Sequence, residues 1–319
     1  TPTEYAEFMV NWAIRNSSDR ILDLGVGHGA FTFAAYHRLL KVGATKMTGL
    51  SQIFGAEIDT SSFVEFTAKA QDKGLQFPNI INADFFDLDI SPVNVVIGNP
   101  PYVRRSQITN VDKIREKVTV EFPEEFMDNL SNLSDLYIYF LLRGFHALEP
   151  GGRIAVITSD SWMNVGYGLA IRKLLSSDFK IERLISLDRR IFSDAQVKPV
   201  FLFAEKKKVS RNWAIDFWRV RNGLPIEEVQ SAITSENTTD LSPDLQYCKV
   251  TYSRLEDSVP WGINFKSPII YRSLANLSCM VDVKSVALTR IGYQTLAKEF
   301  FVLLPSQVDA LDIEDQYLQ

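Results

Sequence analysis

Between Ile21 and about Glu205, short β-branched runs alternate with stretches of helical periodicity, and this alternation leaves few folds open. Parallel strands need a crossover of a dozen residues or more, so strand–helix–strand alternation specifies a mostly parallel sheet covered on both faces. Candidate strands are 20–24, 53–57, 79–82, 93–98, 153–159, 180–187 and 199–205. Candidate helices are 3–15, 29–41, 61–74, 135–148 and 167–176. "LEPGG" (148–152) reads as a helix stop and turn before the fifth strand. The last two strands are separated only by 188–198, with no helix between them, and are expected to pair antiparallel. The fold class is therefore α/β, a seven-stranded doubly wound sheet, mostly parallel, with an antiparallel end pair and a C-terminal extension.

After "EKKK" (205–208) the periodicity weakens, and "SENTTDLSPD" (235–244) reads as an exposed loop. A catalytic domain is expected over 1–208, a connecting region over 209–285, and the start of a further domain over 286–319. The chain begins at Thr1 without a methionine and stops just after an apparent strand, which points to a piece of something longer.

Composition narrows the function classes. The 319 residues are 46% hydrophobic and 23% charged, an ordinary globular balance. No window approaches the roughly 20 apolar residues of a membrane span, and no signal peptide is visible. Two cysteines, Cys248 and Cys279, make neither a disulfide framework nor a metal site, and three scattered histidines add none. A reducing cytoplasmic setting without a resident metal is expected. The net charge of −5 argues against a non-specific nucleic-acid coat while allowing a local basic groove.

Four motifs fall at the ends of successive strands. "ILDLGVGHGAF" (21–31) is a buried strand, a turn with Gly25, Gly27 and Gly29, and a helix start. Glycines allow the sharp turn and close approach to a ligand, and the helix N-terminus favours negative groups. The spacing is not that of dinucleotide enzymes, and Asp23 precedes it. "GAEID" (55–59) ends the next strand with Glu57 and Asp59 on one face, placed for ribose hydroxyls. In "NADFFDLD" (82–89), Asp84 can accept from an exocyclic amine and Phe85 can cover an aromatic base. Core packing is the competing role for Phe85 and Phe86, and it should hold for at least one of them. Together the three describe a site for a nucleoside-like cofactor at the carboxyl edge of the sheet.

The fourth motif is "VVIGNPPYVRR" (95–105). Pro100 and Pro101 remove two N–H donors and fix two φ angles. The Asn99 amide oxygen and the Asn99 and Pro100 carbonyls should then stand as acceptors with few local donors. Such acceptors suit an amino group whose lone pair must be withdrawn from an aromatic ring before it can attack. Tyr102 supplies a face on which a planar base can stack.

On these residues the sequence resembles the class I S-adenosylmethionine-dependent methyltransferases, specifically the amino-methylating DNA adenine enzymes. Asn99-Pro100-Pro101-Tyr102 matches their Asp/Asn/Ser-Pro-Pro-aromatic motif. Asp23 with the three glycines matches the motif for the methionine end of the cofactor. Glu57 matches the ribose acid, and Asp84 with Phe85 matches the adenine motif. "TPTEYAEFMVNWAI" (1–14), led by Thr1, resembles the segment that closes over the methionine end. That order is the gamma-type, TaqI-like one. "SDLYIYFLLRGFHALEPGGRIAVITSDSW" (134–162) resembles the helix and strand that follow there. "RRIFSDAQVKPVFLF" (189–203) resembles a segment whose phenylalanine, here Phe192, packs on a flipped base. "VALTRIGYQTLAKEFFVLLP" (286–305) resembles the opening of a target-recognition domain, with a turn at Gly292 and Thr295.

The resemblance implies S-adenosylmethionine as cofactor, duplex DNA as partner and a restriction–modification setting, with a restriction endonuclease module or subunit outside this stretch. No nuclease motif is found within it. The target adenine must leave the duplex to reach the pocket. Arg104, Arg105, Lys113, Arg115 and Lys117 are candidates for phosphate contacts. Related enzymes use the same motif on RNA adenine or on a glutamine side-chain amide. A non-catalytic DNA-binding or specificity subunit could also keep the fold. The Thr-Pro segment, the Phe192 region and the recognition-domain opening favour DNA.

Overall fold

The computed structural model describes residues 1–90, 92–108, 110–123, 126, 130, 134–188, 198–235, 241–255 and 259–265. All lie in one compact unit, Thr1–Pro268. The segment 286–319, where a target-recognition domain is expected, lies outside the described residues.

The chain opens on helix α1 (Thr3–Ala13) and enters strand β1 (Ile21–Asp23). Helices α2 (Ala30–Lys41) and α3 (Lys46–Ser51) lead to β2 (Ile53–Glu57), and α4 (Thr60–Asp72) to β3 (Ile80–Asn82) and β4 (Val93–Gly98). Helices α5 (Val111–Thr119) and α6 (Leu136–Ala147) precede β5 (Leu148–Ser159), and α7 (Leu169–Asp178) precedes β6 (Lys180–Leu187). Then come β7 (Pro199–Glu205), β8 (Ala214–Val220), α8 (Ile226–Ser235) and β9 (Leu245–Thr251). The strands form one sheet in the order β3-β2-β1-β4-β5-β7-β6-β8-β9.

The sheet thus has nine strands among the described residues, not the seven expected. Strands β6 and β7 pair antiparallel, as expected, but β7 also inserts between β5 and β6 and runs antiparallel to both. Strand β8 then pairs parallel to β6, and β9 antiparallel to β8. The sheet therefore runs on past position 208 instead of ending there. Without β8, strand β6 would present a long row of unpaired backbone groups. "AIDFWRV" carries an acid and a base inside the strand, which obscured its period. The Arg219 guanidinium is paired, meeting Asp188 at 2.8 Å. "LEPGG" is drawn into β5 rather than forming a free turn, because Gly151 and Gly152 exchange backbone hydrogen bonds with Lys206.

Both faces are covered, which is why the central strands are apolar on both sides. Leu22 and Val96 pack into one core layer with Phe140 and Phe145; Ile21, Val95 and Ile97 pack into the other with Phe31 and Leu39. Helix α1 docks on the second layer through Phe8 and Trp12, edge-on to Phe203 at 5.5 and 5.3 Å, and the Trp12 indole N–H donates to Glu182. That docking carries Thr1 to the carboxyl edge of the sheet.

Candidate active site

The chain order reverses between β1 and β4: β2 and β3 lie to one side of β1, and β4 lies on the other. A crevice at that switch point is the general ligand site of open α/β sheets. The register brings the four motifs level there. Asp23 lies opposite Gly55 and Ile97, and Glu57 opposite Asn82. The glycine turn meets the Asn-Pro-Pro segment directly, since a Cβ on Gly25 would lie 3.9 Å from Pro101 Cδ.

Asp23 is fully buried. Its carboxylate accepts from the Gly25 N–H at 3.3 Å and from the Thr32 hydroxyl at 2.8 Å. Burial pushes its pKa up to about 7, against the lowering effect of the Thr32 bond. Glu57 Oε2 accepts from the Gly27 N–H at 2.8 Å, and Oε1 accepts from the Asp59 N–H at 2.9 Å. Asp59 does not join Glu57 as a second ligand-facing acid, because it caps α4 by accepting from the Ser62 N–H at 2.7 Å. That bond lowers the pKa of Asp59. Gly29, at φ +87, opens α2, and a Cβ there would strike Phe66 at 2.6 Å. Its lack of a side chain serves the approach of that ring.

Asp84 accepts from the Phe86 N–H at 3.0 Å and so caps the short turn Phe85–Asp87. Phe85 stacks on Phe140, centroids 4.7 Å apart and planes 16° apart, and Phe86 meets Phe140 edge-on at 4.8 Å. Both phenylalanines are core residues by burial, and both also line the cavity described below. The buried Arg143 fastens this turn, donating to the carbonyls of Phe86 at 3.0 Å and Leu88 at 2.8 Å.

Gly98 delivers Asn99. Its φ of +141 and a Cβ contact of only 2.9 Å to Leu24 N exclude any side chain there. Contrary to the expectation drawn from the two prolines, the Asn99 amide oxygen has a local donor. It accepts from the Tyr102 hydroxyl at 2.6 Å, while Asn99 Nδ2 donates to Thr1 Oγ1 at 3.2 Å. The chain folds back within Asn99–Tyr102 and so supplies the donor that the prolines remove. Burial pushes the Tyr102 pKa up, and its ring lies tilted against Tyr137 at 6.0 Å.

The five basic candidates divide. Arg104 and Lys113 are exposed. Arg105 is half-buried, and its N–H donates to Asp135 at 3.1 Å. Arg115 donates to the Leu130 carbonyl at 3.1 Å, and Lys117 pairs with Asp87. The last two are committed within the chain. Phe192 lies outside the described residues.

A cavity of about 410 Å³ joins these parts, lined among others by Gly25, Gly27, Glu57, Asp84, Phe85 and Asn99. Pro101 also lines it; Asp23, Gly29, Pro100, Tyr102 and Thr1 do not. Its size, aromatic wall and two carboxylates fit a nucleoside with hydroxyl and exocyclic amine donors. Sequence reasoning missed Phe140, Gln107, Asn110 and Ile114, which line it too. Only apolar spacing could have marked Ile114, and no local signal marks the other three. Among the described residues no cluster of histidine, cysteine or acid could hold a metal, and no helix is long and apolar enough to cross a membrane.

Comparison with known proteins agrees with this geometry. The chain is 24% identical over 282 residues to the Type II methyltransferase M.BanIII of Aneurinibacillus aneurinilyticus, covering 79% of this chain and 47% of that protein. It is 22% identical over 332 residues to M.AccI of Acinetobacter calcoaceticus, covering 100% of this chain and 55% of the relative. The chain thus spans about half the length of these curated relatives. Among solved structures, the type IIG restriction endonuclease BpuSI superposes with a TM-score of 0.63 at 18% identity, over 98% of this chain and 39% of that one. A modification subunit of a putative type I restriction enzyme from Vibrio vulnificus YJ016 gives a TM-score of 0.61 at 16% identity, over 78% and 55%. The two solved structures share the fold of this chain, and the two relatives in sequence are Type II methyltransferases. Residues 43–192 match the family model described as Eco57I restriction-modification methylase.

Proposed function

We propose that this chain is the catalytic part of a DNA methyltransferase that moves the methyl group of S-adenosylmethionine to N6 of an adenine in duplex DNA. One observation carries the reading. Asn99, the amide of an Asn-Pro-Pro-Tyr segment, lines the same cavity as the glycine turn, Glu57, Asp84 and Phe85. The match of residues 43–192 to the family model described as Eco57I restriction-modification methylase supports it.

In this reading Gly25 and Gly27 border the methionine end, Glu57 takes the ribose hydroxyls, and Asp84 with Phe85 holds the adenine ring. Asp23 shapes the turn from beneath. When bound, S-adenosylmethionine supplies a sulfonium methyl open to in-line displacement. The target base leaves the duplex, since its amine is out of reach inside it. Tyr102 and Phe192 stack on the base, and Asn99 Oδ1 with the Pro100 carbonyl accepts the two amine hydrogens. That draws the nitrogen lone pair out of the ring and aims it for attack. Ile108, Ile114, Leu136 and Phe140 line the cavity and limit water. No strong base is needed before transfer, because the methylated ammonium is acidic enough to lose its proton afterwards. Arg104 and Lys113 are exposed beside the site for phosphate contacts. The partner is duplex DNA in the cytoplasm, with a restriction endonuclease module or subunit outside this stretch.

The test uses the full chain, tritiated S-adenosylmethionine and unmethylated genomic DNA. Transfer to N6 of adenine is expected, with loss of transfer in Asn99→Ala. A wild-type rate in that variant would overturn the reading.

A further inference from the structure

The Asn99 side chain is held at both ends, with Oδ1 facing the Tyr102 hydroxyl and Nδ2 facing Thr1 Oγ1. An asparagine amide has two nearly isosteric settings that exchange donor and acceptor. Only the setting with oxygen toward an amine can accept that amine's hydrogens. The other setting places N–H groups against N–H groups. A phenol chooses between them. Its oxygen lone pair is partly delocalised into the ring, so it donates more strongly than it accepts. Burial reinforces the choice, because the raised pKa of Tyr102 keeps the hydroxyl protonated across the working range. A carbonyl oxygen carries two lone pairs. The Tyr102 hydroxyl engages one, and Asn99 still borders the cavity.

Resting on the methyl-transfer reading above, we propose that the Tyr102 hydroxyl is a positioning group with a task separate from that of its ring: it sets the Asn99 amide with Oδ1 toward the acceptor amine. The ring offers a stacking face; the hydroxyl decides which atom of Asn99 meets the substrate. Thr1 holds the far end of the same amide and so joins the leading Thr-Pro segment to the acceptor. The task exists only because an amide is unsymmetrical. A carboxylate at position 99 presents two equivalent oxygens and needs no such setting.

The full chain, tritiated S-adenosylmethionine and unmethylated genomic DNA give kcat and both KM values. Tyr102→Phe keeps the ring and is expected to lower kcat about tenfold with KM for cofactor and DNA unchanged, as for loss of orientation rather than binding. In an Asn99→Asp background the same replacement is expected to change kcat by less than about twofold, because the two sites act as one unit. Wild-type kcat in Tyr102→Phe, a KM increase at constant kcat, or equal losses in both backgrounds would each overturn the proposal. A wild-type chain that transfers no methyl to DNA overturns the functional reading itself, and is told apart by needing no variant.

Discussion

Glu57 Oε2 accepts a hydrogen bond from the Gly27 N–H at 2.8 Å, tying the end of β2 to the turn after β1. Its other oxygen accepts from the Asp59 N–H. Glu57 therefore shapes the cavity as well as lining it. Glu57→Ala removes both bonds, and bonds to a charged group contribute about 1.5–3 kcal/mol each. Affinity for S-adenosylmethionine, measured by calorimetry, is expected to fall at least about tenfold. Unchanged affinity would remove Glu57 from the site.

Gly98→Ala forces a Cβ to within 2.9 Å of Leu24 N and 3.2 Å of the Asp23 carboxylate, at a φ of +141. Strain of this kind costs about 1–3 kcal/mol. Urea unfolding is expected to show a loss of that order, with reduced methyl transfer because Asn99 follows directly. A variant as stable as wild type would mean the backbone relaxes without cost.

Asp23 links stability to pH. Its folded pKa is raised from 3.8 to about 7. Between those values the unfolded chain is ionised at this residue while the folded chain holds the proton. The contribution of Asp23 to stability is thus fully present below pH ~4, declines as pH rises toward ~7, and is flat above. Asp23→Asn is expected to abolish this decline. Urea unfolding from pH 4.5 to 8 checks it: parallel slopes in wild type and variant would contradict the assignment.

Arg143 holds the carbonyls of Phe86 and Leu88 and lies 3.5 Å from the buried Glu121 carboxylate. Breaking a buried pair from one side costs about 3–5 kcal/mol. Arg143→Met is expected to lose stability on that scale. Adding Glu121→Gln should restore part of it, because the carboxylate left behind is then neutral. With the Asp84–Leu88 turn unfastened, KM for S-adenosylmethionine should rise more than kcat falls. Equal stability of the single and double variants would show that the pair carries no such weight.

Much of the fold was legible in the chain. Strands 53–57, 93–98, 180–187 and 199–205 were read with the bounds the structure has, since buried β-branched runs leave little choice. Strands β8 and β9 were not, because their interiors carry Asp216, Arg219 and Lys249, and these find partners only once the strands pair. Helix α5 was missed too: its buried Val111, Ile114 and Val118 keep helical spacing, but the other six of its nine residues are polar or charged. Of the candidate residues, the cavity joins Gly25, Gly27, Glu57, Asp84, Phe85, Asn99 and Pro101. Arg115 and Lys117 illustrate the opposite case, charges that look free in a sequence and are spent on Leu130 and Asp87.

The sequence alone determined which chemistry is present: a glycine turn, two acids and an Asn-Pro-Pro-Tyr segment, each ending a strand. Local rules suffice for that, because glycine, proline and β-branched residues restrict their own backbone. Tertiary structure alone decided which atoms of those motifs face one another. Glu57 reaches Gly27, Asp23 turns inward to Thr32, and Tyr102 meets the oxygen of Asn99 rather than leaving it open. Those choices depend on strand register and on burial, which make a hydrogen bond obligatory wherever water is excluded, and neither is written in any single segment.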